Sequence, residues 1–350
     1  MNVHTTLGRT SNLRARLRAR LLGSIGFCAV VAAVACGSST ARNGFDHDST
    51  DPTTGDGSNN GPAGSLGTNG ADAATAEPSN ECQKMDLVFI VDDSGSMQEE
   101  QSNLAANFPK FVKVLNDYQT KSGSKLDWRV AVTTTGRDVD YNISPPIPFP
   151  IPLPPQSEKG DNGAFRQKKD CGSVRRWVER NDSNADQTFS CLAEVGTSGP
   201  SIEMPLESLK LALNDRVADG TNAGFLRPDA LLAVVILTDE DDCSRQDNNF
   251  TIADDVCITM QGVKPVAEYK AMLDGVAGGA NRWATAVIAG DKACTSGFGK
   301  AIDAQRLKQF VNLVGKNGMF SSICNGDLTT SLQDALSTFD AACKSFPGVK

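Results

Sequence analysis

The sequence predicts an α/β fold, with a doubly wound, mostly parallel sheet and helices on both faces. From residue 82 onward, apolar runs alternate with segments of helical periodicity. Three of the runs are LVFIV at 87–91, LLAVVIL at 231–237 and TAVIA at 285–289. Continuous apolar runs of this length are typical of strands that helices cover on both sides. Such a sheet binds ligands beyond the carboxyl ends of its strands.

The remaining elements follow the same alternation. Strands are predicted at 87–91, 128–134, 231–237, 285–289 and 319–323. Helices are predicted at 98–118, 205–213, 264–276, 303–314 and 328–346. Pro109 lies inside the first helix and is expected to kink or divide it.

The N-terminal residues have the layout of a secretory signal. Residues 1–35 contain five arginines and no acid, and they end in an apolar run of 15 residues. That run is short for a bilayer span, and no later segment approaches 18 apolar residues, so we predict no transmembrane helix.

Cys36 follows AVA and resembles the lipidated cysteine of a bacterial lipobox. The alternative is ordinary signal cleavage, because Ala33-x-Ala35 also fits the A-x-A rule. No aspartate stands at the position of an inner-membrane retention signal, so an outer-membrane lipoprotein is favoured. Residues 36–81 are rich in Gly, Ser, Thr, Asn, Asp and Ala and are predicted to form a flexible tether.

The cysteine count agrees with an oxidising compartment. Of ten cysteines, Cys28 leaves with the signal and Cys36 carries the lipid, which leaves eight for up to four disulfides. No C-x-x-C pair is present, and this argues against a zinc-thiolate site.

Charge and histidine content exclude several functions. The chain has 34 basic and 42 acidic residues, and without the five signal arginines the balance is 29 to 42, a net charge of −13. We therefore expect no nucleic-acid binding. The two histidines, His4 and His47, precede the predicted head at 82–346, which excludes His-dependent catalytic and metal sites there.

Residues 137–195 interrupt the alternation with a proline-rich, cysteine-containing insertion. Seven prolines lie between 145 and 155. The segment is either a surface insertion with no direct role or a recognition loop. In the second case its basic residues could serve an acidic partner; they are Arg166, Lys168, Lys169, Arg175, Arg176 and Arg180.

Oxygen-bearing side chains follow the first strand at alternating positions. Asp92, Ser94 and Ser96 can converge on Mg²⁺, with Gly95 letting the backbone bend closely around the ion. The alternative is a polar turn that caps the next helix. Asp239 stands at the end of the 231–237 strand, and Thr197 precedes the 205–213 helix, so both can join the site.

This constellation resembles the von Willebrand factor type A (VWA) domain and its metal-ion-dependent adhesion site. The family combines D-x-S-x-S after the first strand, a threonine on a second loop and an aspartate after a later strand. The matching residues are Asp92, Ser94, Ser96, Thr197 and Asp239. The interval from Ser96 to Thr197 is lengthened by the proline-rich insertion. Thr221 is a weaker candidate for the threonine ligand. Glu240 stands where the family often has glycine, and Asp241 and Asp242 either tune the site or solvate the loop.

The resemblance implies a lipid-anchored, extracytoplasmic binding module rather than an enzyme. The metal ion is expected to be Mg²⁺, Mn²⁺ or Ca²⁺. One coordination position is left open, and a carboxylate of a protein partner fills it. One alternative is a structural cell-envelope lipoprotein that does not bind ligands through metal. Another is a metal-dependent hydrolase that uses the acidic run 239–242, with Asp241, Asp242 or Glu203 as base. The absence of histidine and the hydroxyl-rich ligand set argue against the hydrolase.

The two ends of the domain are neighbours in the VWA fold, so the resemblance implies a Cys82–Cys343 disulfide. Cys243 and Cys257 flank the loop after the Asp239 strand and could close it. Pairing Cys171 with Cys191 and Cys294 with Cys324 completes one arrangement out of 105.

Overall fold

The computed structural model describes residues 81–120, 123–144, 153–254, 256–296, 299–326 and 328–347. The predicted signal, Cys36, nearly all of the predicted tether and most of the proline run lie outside these residues. None of the described helices combines the length and apolarity needed to cross a membrane.

The described residues form eleven strands, which we number in chain order. They are β1 Lys84–Val91, β2 Asp127–Thr134, β3 Val139–Ile143, β4 Gln156–Glu158, β5 Val178–Glu179, β6 Leu231–Leu237, β7 Asn249–Ile252, β8 Trp283–Ala289, β9 Cys294–Ser296, β10 Gly299–Ala301 and β11 Gly318–Ser322.

The α-helices are numbered in the same way. They are α1 Gln98–Asp117, α2 Ala185–Ala193, α3 Pro205–Lys210, α4 Arg216–Ala218, α5 Val266–Ala277, α6 Gln305–Val314 and α7 Leu328–Lys344. A π-helical turn, Leu211–Asp215, joins α3 to α4.

Six strands form the central sheet, in the order β11-β8-β6-β1-β2-β5. The first five are parallel, and β5 pairs antiparallel with β2 at the edge. The chain moves outward from β1 to β2 and later returns to the other side of β1 through β6. The strand order therefore reverses at β1 and β6, and ligands are expected beyond their carboxyl ends.

Helices cover both faces of this sheet, so the predicted fold class is confirmed. Alternate residues of β1 point to opposite faces: Phe89 packs in one core with α1, α2 and α7, and Ile90 packs in another with α3, α5 and α6. Every residue of β6 and β8 is buried. Two-sided burial explains why these strands are apolar at nearly every position.

Helix α1 is one continuous helix of 20 residues with Pro109 inside it. The expectation that Pro109 divides the helix is wrong. The Phe89 ring contacts the rings of Phe108 and Phe111, with both pairs of centroids 5.4 Å apart. These buried aromatic contacts hold both sides of Pro109 on the sheet and offset the hydrogen bond that proline cannot donate.

Residues 153–195 are attached to the head by a few buried side chains, although most of their residues are exposed or half-buried. They supply β4, β5 and α2, and Phe165 and Phe189 are fully buried in the two cores. β3 pairs with β4 and β7 in a second, three-stranded sheet. This small sheet has its own apolar cluster, in which the Tyr141 and Phe250 rings stack 5.6 Å apart.

The described part of the chain contains four disulfides, with the pairing proposed from the sequence. Cys82–Cys343 joins the start of the head to the last turn of α7, and Cys171–Cys191 ties α2 to the preceding loop. Cys243–Cys257 closes the segment after β6, and Cys294–Cys324 links the β9 strand to the loop before α7.

Candidate functional site

The turn after β1 is shaped by the side chain of Asp92. The Asp92 backbone N–H still donates to the Leu237 carbonyl oxygen, at 2.9 Å, so it continues the ladder between β1 and β6. The Ser94 N–H then donates to Asp92 Oδ1, at 2.8 Å, and turns the chain away from the sheet. Helix α1 begins four residues later.

A chain of hydroxyls joins this turn to the end of β6. The Ser94 and Ser96 hydroxyls lie 2.9 Å apart, and Ser96 Oγ donates to Asp239 Oδ1 at 3.2 Å. Asp92, Ser94 and Asp239 are buried, and Ser96 is half-exposed. The structure thus brings four of the five predicted ligands together at the carboxyl edge of β1 and β6.

The loop that carries Thr197 lies against the same turn, but the Thr197 hydroxyl is not part of the network. Gln101 binds the loop to the turn: its side-chain amide donates to the Asp92 and Gly196 carbonyl oxygens, at 2.9 and 2.6 Å. Among the described contacts, the Thr197 hydroxyl has no hydrogen bond to the other four predicted ligands. Its backbone carbonyl faces Gly95.

Gly95 does not need the conformational freedom of glycine. Its φ is not in the left-handed region, and an added Cβ would lie in ordinary contact, 3.9 Å from the Thr197 carbonyl oxygen. Gly199 is different, because a Cβ there would lie 2.2 Å from Asp93 Cγ. The Asp93 carboxylate is buried against this glycine. The Gly199 N–H also donates to the backbone carbonyl oxygen of Asp93, at 2.7 Å. Asp93 therefore packs against the second loop.

Thr238, which sequence reasoning did not assign, touches the site. Thr238 Oγ1 donates to Asp92 Oδ2 at 2.6 Å and accepts the Glu240 N–H at 3.0 Å. Glu203, considered only as a candidate base, accepts a hydrogen bond from the Thr135 hydroxyl and is buried. Thr238 was recognisable from the sequence as the residue between the β6 run and Asp239.

Asp241 and Asp242 do not solvate the loop, so that one of the two sequence-based interpretations is wrong. Asp241 Oδ1 accepts the backbone N–H groups of Arg306 and Leu307, at 3.0 and 3.2 Å, in the first turn of α6. Asp242 accepts the Leu206 N–H in α3 and forms a salt bridge with Arg306, with 3.0 Å between Oδ2 and Nη2. Both side chains are buried and serve as helix N-terminal acceptors.

Thr221 is excluded as a substitute ligand by topology. It lies between α4 and the start of β6, and its N–H donates to Asp219 Oδ1 at 2.8 Å. The start of a parallel strand lies at the edge opposite to the one that bears Asp92 and Asp239.

The basic cluster at 166–180 is largely occupied within the head. Arg166 and Arg175 form ion pairs with nearby aspartates, and Lys168, Arg176 and Arg180 donate to backbone carbonyl oxygens. Lys169 is exposed. Most of these basic side chains therefore have partners within the head.

Electrostatics at the site are dominated by buried carboxylates. Burial, followed by the neighbouring Asp92 carboxylate, raises the pKa of both Asp239 and Glu203. Burial also raises the pKa of Asp92, and it raises the pKa of Glu100 to about 7. Burial and the Asp161 carboxylate raise the pKa of Asp93 to about 7. Acidic groups are therefore crowded here in a poorly solvated environment, which favours their protonated forms when no cation is bound.

The oxygen atoms that converge at the site belong to both carboxylates and hydroxyls. Within the described residues, no three carboxylate, thiolate or imidazole groups are arranged to hold a metal ion. The carboxylates of Asp92 and Asp239 are instead connected through the hydroxyls of Ser94, Ser96 and Thr238.

Comparison with known proteins finds no matching family model and no matching curated relative. Among solved structures, proximal thread matrix protein 1 of the mussel byssus is 14% identical, with a TM-score of 0.38 over 74% of this chain and 49% of that chain. A second structure of that protein has a zinc-occupied MIDAS motif, at 14% identity and a TM-score of 0.37, covering 76% of this chain and 47% of that chain.

Two further similar structures come from a bacterium and a parasite. The pilus adhesin SpaC of Lactobacillus rhamnosus GG, in an open conformation, is 10% identical with a TM-score of 0.36, over 73% of this chain and 30% of that chain. The manganese-loaded TRAP protein of Plasmodium vivax is 10% identical with a TM-score of 0.33, over 77% of this chain and 76% of that chain. At these identities and TM-scores, none of these proteins indicates what this chain binds.

Proposed function

We propose that the head is a VWA-type binding module that docks an acidic group of a protein partner through a divalent metal ion. The observation that supports this most directly is the convergence of Asp92, Ser94, Ser96 and Asp239 at one point of the sheet edge. A fifth oxygen is expected from the second loop, where Thr197 is the candidate from the sequence.

The donor set fits a hard divalent cation. All of the converging atoms are carboxylate or hydroxyl oxygens, which Mg²⁺, Mn²⁺ and Ca²⁺ prefer. The pKa values of the buried Asp92 and Asp239 carboxylates are raised by burial, and no lysine or arginine is among the groups that lower them most. A buried carboxylate is costly unless it is paired or coordinates a metal, so a divalent ion would supply the missing positive charge.

The site opens to solvent where a partner would approach. Gly95 is exposed, and Ser96 and Thr197 are half-exposed, whereas Asp92 and Ser94 lie beneath them. When bound, the ion would supply a positive charge with a position that a partner's carboxylate completes.

We further propose that the module is not an enzyme. The three acids considered as bases are unsuited to that role, because Asp241 and Asp242 bind helix N-termini and Glu203 is 1% exposed. A general base must reach the proton that it abstracts.

The cellular setting is proposed from the sequence. Cys36 would carry the lipid, residues 36–81 would connect it to the head, and the outer membrane is the favoured location. The acidic net charge of the mature chain supports a protein partner rather than nucleic acid.

The metal proposal is tested with the full chain and Ser94→Ala, in Mg²⁺ and in chelator. We expect Mg²⁺ to raise the Tm of the wild type and to promote retention of envelope proteins, and Ser94→Ala to reduce both effects. Ser337→Ala, on the exposed side of α7, is the matched control and should behave as wild type. If Mg²⁺ changes neither Tm nor retention, the metal-dependent module is wrong.

The lipid anchor is tested separately by labelling cells with a fatty-acid analogue. Label is expected on the wild type and not on Cys36→Ser. An unlabelled wild type, or a labelled Cys36→Ser, contradicts the anchor.

A further inference from the structure

A groove runs between α1 and α7 at the amino edge of the central sheet. Its volume is about 390 Å³, which lies in the range of ligand sites. Its apolar walls include Met85, Leu115, Leu126 and Leu336. Val114 stands on its rim and is 43% exposed. Open apolar surface in a groove marks a place where another group docks.

The first described residue of the chain lies at the mouth of this groove. The hydroxyl of Tyr118, which lines the groove, donates to Asp340 Oδ1 at 2.7 Å and lies 3.3 Å from Glu81 Oε1. The next residue, Cys82, is held by its disulfide to Cys343 and by a backbone hydrogen bond to the Cys343 carbonyl oxygen, at 3.0 Å. The residues just before Glu81 therefore start within reach of the groove walls.

The composition of the tether changes at residue 71. Residues 37–70 contain eight glycines, and residues 71–81 contain none. Four of the six alanines of 36–81 lie at 71–76, and Pro78 follows them. Glycine loses the most freedom when a chain is ordered, and proline is restricted beforehand, so residues 71–80 cost less to order than the rest of the tether.

The length and charge of this segment match the groove. Leu336 and Val114 also line its continuation along α1, which ends at Lys110. Lys110 is exposed and has no ion pair with any described residue; its Nζ donates to an asparagine side chain.

Two distances along the chain place an acid at this lysine. Lys110 precedes Tyr118 by eight positions, which is about 12 Å along a helix. Glu77 precedes Glu81 by four positions, which is about 13 Å in an extended chain. Pro78 favours an extended backbone at Glu77. An extended segment that starts at Glu81 therefore brings Glu77 to Lys110.

We propose that residues 71–80 dock in this groove in an extended conformation, with Pro78 and the alanines against its apolar walls and Glu77 paired with Lys110. Attachment through Glu81 makes the contact intramolecular, with an effective concentration on the order of millimolar, so weak contacts suffice. This explains how a segment too polar to fold by itself can be held. The docked segment sets the path along which the tether leaves the head, and residues 36–70 remain as its free part. The proposal does not depend on a metal at the Asp92 turn.

The test is hydrogen exchange of the full chain, followed by mass spectrometry. We expect the protection factors of the backbone amides in 71–80 to exceed those in 53–70 by at least about tenfold. Lys110→Glu, which repels Glu77, and Val114→Asp, which puts a charge on the apolar rim, should each reduce the protection to the level of 53–70. Both side chains are exposed, so neither change should disturb the fold. Val174→Asp is the matched control, because Val174 is 78% exposed and lies outside the groove, and it should leave the protection unchanged.

A charge swap tests the ion pair itself. Glu77→Lys alone should lose the protection of 71–80, and Glu77→Lys combined with Lys110→Glu should recover it. A double variant that stays unprotected contradicts the pairing of Glu77 with Lys110.

The remaining outcomes overturn the docking. Equal protection of 71–80 and 53–70 in the wild type shows that the segment does not dock. Protection that survives both Lys110→Glu and Val114→Asp shows that it docks elsewhere. If 71–80 is unprotected and sedimentation detects a dimer that Val114→Asp dissociates, the groove binds a second copy of the chain instead.

Discussion

Thr238 shows how one hydroxyl can make a buried carboxylate tolerable. It donates to Asp92 Oδ2 and accepts the Glu240 N–H, so it connects the ends of β1 and β6. Asp92 is 0% exposed, and without this donor its Oδ2 would be buried with one fewer hydrogen bond. The cost of that loss is larger than the net value of an ordinary hydrogen bond.

Thr238→Val should therefore lower the free energy of unfolding by about 1–3 kcal/mol, measured by urea denaturation. Thr285→Val is a matched control in β8. Thr285 is also fully buried, but its hydroxyl has no partner among the described residues. Replacing that hydroxyl with a methyl group should be neutral or stabilising. Equal losses in the two variants would contradict the role given to Thr238.

The acids at the site predict an unusual pH dependence for the metal-free protein. Glu100 has a pKa of about 7 in the folded head, whereas an unfolded glutamate titrates near 4.3. Between these values the folded state binds more protons than the unfolded state, so stability falls as pH rises. The contribution is fully present below about pH 4 and is lost above the folded pKa of about 7.

In chelator, the Tm should accordingly be lower at pH 8 than at pH 5.5, and Glu100→Gln should reduce this difference. In saturating Mg²⁺ the difference should shrink, because the ion binds the deprotonated carboxylates and stabilises the folded state most at high pH. Scanning calorimetry at both pH values measures this. If the Tm in chelator instead increases from pH 5.5 to 8, the conclusion that buried acids without a compensating charge destabilise the metal-free protein is wrong.

At the scale of elements, helix α6 is attached to the loop after β6 through its N-terminus. Asp241 accepts two backbone N–H groups of the first turn, which an isolated helix leaves unpaired. Asp241→Ala should destabilise the head by about 1–2 kcal/mol, with Mn²⁺ affinity unchanged. Asp303→Ala, which removes a partly exposed ion pair with Lys308, should cost less than about 1 kcal/mol. A loss of Mn²⁺ binding in Asp241→Ala would show that this residue contributes to the proposed metal site.

The elements also show what sequence can predict and what it cannot. The five central parallel strands were predicted because two-sided burial makes them nearly continuous apolar runs. β4 and β5 have three and two residues, too few to show a period, and they form only because longer strands lie beside them. Similarly, Asp92 and Asp239 were recognisable at strand ends, whereas the hydrogen bond that Glu203 accepts from Thr135, 68 positions earlier, depends on the fold.

At the scale of the whole head, the disulfides differ chiefly in how much chain they close. Cys82–Cys343 spans 261 residues, and Cys243–Cys257 spans 14. In the chain-entropy account, a longer closed loop removes more freedom from the unfolded chain. The Cys82 N–H also donates to the Cys343 carbonyl oxygen at 3.0 Å, so the two ends are already adjacent in the folded state.

Replacing both cysteines of a pair by serine should therefore cost about 5 kcal/mol for Cys82–Cys343 and about 3 kcal/mol for Cys243–Cys257. Urea unfolding of the two double variants and the wild type measures the difference. Cys171–Cys191 spans 20 residues and is the control for loop length, with an expected loss close to that of Cys243–Cys257.

Mn²⁺ affinity should be retained without Cys82–Cys343, because that bridge lies beyond the amino end of β1, whereas the site lies beyond its carboxyl end. A larger loss of stability for the short loop than for the long one would show that strain or local packing, rather than chain entropy, sets the contribution of these bridges.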